Sequence, residues 1–166
     1  MSDLWKAGGE VYKTMQALIA KNAVLSGLAL VDEEILIVFK EKAGKSGDVI
    51  IAGKTSKATP LLSVVDGEKE WKFVITLAGD QWETMSDGER EALLFHHLCA
   101  CGVEENPETH KMRFFVKLPD VSFFREEVEE YGFWRTSGST PEADIILSLF
   151  GEKAVPAPAK KGKNTP

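Results

Sequence analysis

The sequence predicts an α+β fold. Two kinds of hydrophobic pattern carry that reading. Runs rich in β-branched and aromatic residues at Glu34–Lys40, Trp71–Leu77 and Met112–Lys117 have the composition of strands. Apolar residues near the N-terminus and over 86–101 recur at helical spacing. Strands and helices do not alternate regularly, which argues against a sheet built from βαβ units. A chain of 166 residues with 43% hydrophobic side chains suits one domain with a real core. The expected architecture is therefore a small mixed sheet packed on helices, with the helix at 86–101 among them.

Each element follows from local chemistry. Trp5, Val11, Met15, Leu18 and Ile19 fall near helical spacing and predict a helix over 4–22, weakened at its start by Gly8 and Gly9. Leu28–Val31 reads as a short strand or the lead-in to the strand at 34–40. Residues 41–60 carry Gly44, Gly47, Gly53, several lysines and Pro60, and read as loop around a short strand at Val49–Ile51. After the strand at 71–77, Asp80–Met85 reads as a helical turn. Ser86 and Glu89 match the capping box that opens a helix, and Gly102 is the expected stop after about Cys101. Beyond the strand at 112–117, Asp120 caps a helix with Val121, Phe124 and Val128 on one face, ended by Gly132. Thr140 and Pro141 open a last helix through Leu149. The domain is expected to span 1–150. Residues 151–166, rich in Ala, Pro and Lys, read as a disordered tail.

Bulk properties exclude some functions. The net charge is −6, which argues against a broad phosphate-binding surface, because such surfaces work by neutralising phosphates with Lys and Arg. Local basic runs remain in Lys40–Lys57 and in the tail at Lys160, Lys161 and Lys163. No apolar run reaches membrane-spanning length, and the start is not a basic region followed by an apolar one. A reducing cytoplasmic setting without membrane contact is the expectation. On one helix Cys99 and Cys101 point to nearly opposite sides, so a bond between them is not expected.

The residues that could carry chemistry lie at Glu91–Gly102. His96 has Ala100 one turn on, which supplies no second ligand. His97 has Cys101 one turn on, and that pair could share a metal ion. Third ligands could come from Glu104, Glu105, His110, Asp120 or Glu126. The plainer reading is a packed helix with one buried and one partly exposed histidine, an acidic solvated turn at Glu104–Glu108, and Asp120 occupied as a cap. The late aromatics Phe114, Phe115, Phe123, Phe124, Tyr131, Phe133 and Trp134 fit either core or a partner surface.

The order of features over 71–134 resembles the phage metallopeptidases. It runs from the strand Phe73–Leu77 through Trp82, Ser86 and Arg90–Leu94 to a His-x-Leu-Cys helix. Gly102–Glu105, Asp120–Phe124 and Tyr131–Trp134 then follow in place. The likeness is looser over 10–60. The resemblance implies a zincin-like core and a helix reading His-Glu-Leu-Cys-His. Only His96, Leu98 and Cys99 match that pattern. The position of the general base holds His97, the second zinc ligand falls on Ala100, and the third falls on Pro119.

Three functions are weighed. The first is a catalytically inactive metallopeptidase-like protein of phage or prophage origin that binds and modulates a host or defence protein. It expects no metal and no cofactor. The second is a zinc hydrolase with relocated ligands, using His97, Cys101 and His110 or Glu105, or alternatively His96 and Cys99. The third is a nucleic-acid-interacting phage accessory protein, disfavoured by the acidic charge.

Overall fold

The structure is a computed structural model that describes residues 3–67, 69–119 and Glu130. The chain divides into two compact units, Met1–Lys117 and Leu118–Pro166, and every element below belongs to the first. The helices expected at 120–132 and 140–149, and the tail, lie outside the described residues.

A four-stranded sheet forms the centre. Its strands are β1 (Leu4–Lys6), β2 (Ile35–Lys40), β5 (Gly53–Lys57) and β6 (Phe73–Ala78), in the order β1-β2-β6-β5. β2 and β6 run parallel, with Ile35 beside Phe73 and Lys40 beside Ala78. β1 and β5 flank them antiparallel. The central pair has to be apolar because it is covered by other elements. Ile35, Ile37, Phe73, Ile75 and Leu77 are all fully buried. Two hairpins complete the strands among the described residues: β3 (Gly44–Ser46) with β4 (Val49–Ile51), and β7 (Cys101–Glu105) with β8 (Met112–Val116).

Helix α1 (Gly9–Lys21) buries Met15, Leu18 and Ile19, and α4 (Asp87–Cys99) buries Leu94 and Leu98. These side chains join Leu25, Leu28 and the sheet in one core. Two short helices, α2 (Pro60–Val65) and α3 (Gly79–Thr84), precede and follow β6. No described helix is long and apolar enough to cross a membrane.

The mixed α+β fold matches the expectation, and four local readings are corrected. Leu4–Lys6 is an edge strand on β2, not the first turn of a helix. Gly8 and Gly9 break the chain there, and Trp5 stacks on Phe39 at 5.8 Å. Leu28–Val31, read as a short strand or a lead-in, is not a strand: Leu28–Leu30 close a 3₁₀ helix, Ala23–Leu30, on the way to β2. Gly53–Lys57, read as loop, is strand β5. Its polar sequence gains strand form by pairing with β6. Finally, α4 ends at Cys99, so Cys101 and Gly102 open β7. Gly102 is needed there for a different reason: a side chain at this position would collide with the Phe115 ring across the ladder.

Candidate active-site helix

The sequence positions α4 in two ways. The Ser86 hydroxyl accepts from the Glu89 amide while Glu89 Oε2 accepts from the Ser86 amide at 2.7 Å, which starts the helix at Asp87. Leu94, His97 and Leu98 then share the helix face that meets the core. His97 is therefore the packed histidine, and His96, about a quarter-turn away, is exposed.

His97 is held by β5. Gly53 and Thr55 lie on the same side of that strand, two residues apart. Thr55 Oγ1 lies 3.0 Å from His97 Nδ1 and 3.2 Å from the His97 carbonyl oxygen. Gly53 makes room for the ring, since a Cβ there would run into Nε2. Burial, and then the neighbouring His96 charge, lower the His97 pKa to about 4, so the ring is neutral at pH 7. The His96 and His97 rings meet edge-on at 5.1 Å.

The remaining candidates are placed apart. Ala100 ends the helix one turn after His96 and offers only a methyl group. Cys101 Sγ donates to the His97 carbonyl at 3.5 Å. Burial pushes its thiol up to about 12, with Cys99 adding to the effect and Lys117 opposing it. Burial also raises the Cys99 thiol, again against Lys117. Both cysteines are free thiols, and neither is activated as a thiolate. His110 lies in the β7–β8 turn with φ 53°, its Nδ1 2.9 Å from Glu105 Oε1 and the pair exposed. Glu104 pairs with Arg113 at 2.6 Å. Among the described residues, no three His, Cys, Asp or Glu side chains group as a metal site. Pro119 is exposed and has no donor side chain. Asp120 and Glu126 lie outside the described residues.

This helix is capped by Ser86 and set against an antiparallel edge strand. A family model described as "Putative phage metallopeptidase" matches residues 3–141. The chain belongs to the phage metallopeptidase family. No curated protein and no solved structure matches it.

The family name implies a metal ion, and the donors on α4 do not fit one. His96 offers a single imidazole and Ala100 offers nothing. The His97 ring is committed to Thr55 and faces Gly53. Gly53 and Thr55 were missed in the sequence. Their only signal is the two-residue alternation of a strand that the lysines and glycine disguised.

Proposed function

We propose that this member of the phage metallopeptidase family is catalytically inactive and acts by binding and modulating a host or defence protein. The observation that carries the reading is the environment of His97. A metallohydrolase needs a base beside a metal-bound water, at an ion held by about three protein ligands. The position next to His96 holds a neutral imidazole wedged between Gly53 and Thr55 instead. A carboxylate in that place would have to be buried against a strand, at a desolvation cost the present neutral ring avoids. The next helical turn carries Ala100. The surrounding core is nonetheless intact, with Leu94 and Leu98 fully buried, so what the chain retains is a rigid scaffold.

A peptide-hydrolysis assay on the full chain with added zinc tests the catalytic half. The expected result is no cleavage above a zinc-only blank. Cleavage that a chelator and His96→Ala both abolish would overturn it.

A further inference from the structure

We propose that the β3–β4 hairpin is a docking edge on which an acidic, extended segment of a partner protein adds as a strand beside β4. The inference deepens the binding role proposed above. It rests on that role for the existence of a partner, not on the loss of catalysis.

The hairpin is anchored at its base, and among the described residues no strand pairs with the outer edge of β4. Its two strands are joined by Gly47 and Asp48, and Gly47 has φ 60°, the requirement of a tight two-residue connection. Its base is fixed at both feet. The Ala43 amide donates to Asp80 Oδ1 at 2.9 Å, and the Ala78 amide donates to the Ala52 carbonyl at 2.8 Å. Beyond those anchors, three consecutive β-branched side chains stand in solvent: Val49 at 67%, Ile50 at 51% and Ile51 at 41% exposure. A two-stranded ribbon is marginal alone, and an apolar strand with a free edge is a template for another strand.

Three features select the occupant. Ile50 faces opposite to Val49 and Ile51, so apolar groups project from both sides of the ribbon. A flat lipid surface meets one side only and cannot satisfy edge amides, whereas an added strand meets both sides and pairs the backbone. The hairpin carries no aromatic side chain on which a nucleobase could stack. The charge is also local. In a chain of net −6, residues 40–57 hold five lysines against Glu41 and Asp48. Lys42, Lys45 and Lys54, on the hairpin or within three residues of it, are exposed, and none is ion-paired among the described residues; Lys57 lies at the other end of β5, beside Phe73. A second copy of the chain would bring two such lysine sets together, which is repulsive. An acidic strand complements them.

The test follows amide resonances of the isotope-labelled full chain against two synthetic peptides, one alternating Glu with Val and one alternating Lys with Val. The Glu peptide is expected to shift the Val49, Ile50 and Ile51 amides. In Lys45→Glu/Lys54→Glu its binding should weaken about ten-fold with the melting temperature unchanged. Four outcomes overturn the proposal. The first is no binding of the Glu peptide, and the second is equal binding of the Lys peptide. The third is binding only to phosphatidylserine vesicles. The fourth is self-association abolished by Ile50→Lys with no effect of peptide. The hydrolysis assay reads separately. Cleavage activity with an intact hairpin response would remove the inactive-enzyme reading and leave this one standing.

Discussion

His97 and Thr55 are joined twice: the Thr55 hydroxyl lies 3.0 Å from His97 Nδ1 and 3.2 Å from the His97 carbonyl oxygen. A hydroxyl has one proton to give. If Thr55 donates to the carbonyl, the ring must donate from Nδ1–H, which leaves Nε2 bare toward Gly53. Of the two neutral tautomers, only this one makes both contacts together. The carbonyl gains as well, because it belongs to the last turn of α4, where helical partners run out.

The first prediction concerns pH. The folded His97 pKa is about 4, lowered by burial and then by His96. In the unfolded chain it returns to about 6.5. Below that value the unfolded chain takes up a proton that the folded chain refuses. Stability is therefore full above pH 6.5 and is lost as pH falls toward 4. Between about pH 7 and about pH 4.5 the loss attributable to His97 is about 2 kcal/mol. Urea midpoints of wild type and His97→Gln at the two pH values measure it. Equal losses in the two proteins would show that another group is responsible.

The second prediction concerns the fit of β5 under the helix. Gly53→Ala places a methyl group into the His97 ring and should cost about 1–3 kcal/mol. The same substitution in a His97→Ala background should cost much less, because the clash is gone. Urea unfolding of the four proteins gives the coupling between the two sites. Additive losses would mean that strand conformation, not the ring, makes Gly53 necessary.

The third prediction concerns the start of α4. Ser86→Ala removes the acceptor for the Glu89 amide and should cost about 1 kcal/mol, while Ser86→Asp should cost little. Chemical denaturation of both variants decides. A loss in both of the same size would place the effect outside the cap.

What the sequence reveals here follows the range of the interaction. The capping box at Ser86 and Glu89 is local, and it was readable to the residue. The apolar run at 73–77 carries its own β-branched and aromatic composition and buries Phe73, Ile75 and Leu77 completely, so it too is readable. Gly53–Lys57 was not, because only its pairing with β6 makes a polar stretch into a strand. The positions of His97 and Ala100 stand out from the resemblance alone. Their consequence needed Gly53 and Thr55, some forty residues away and invisible as partners in one dimension. Cys101 shows the same limit. Its helical spacing from His97 suggested a shared metal, but the chain turns into β7 first, and the thiol meets the His97 carbonyl instead.

Whether α4 holds zinc is decided by the metal content of the full chain, purified without a metal-affinity tag or chelator and read by elemental mass spectrometry. Near-zero zinc is expected, with no change in His96→Ala or His97→Gln. About one zinc per chain, lost in either variant, would contradict that expectation and make this helix a working metal site.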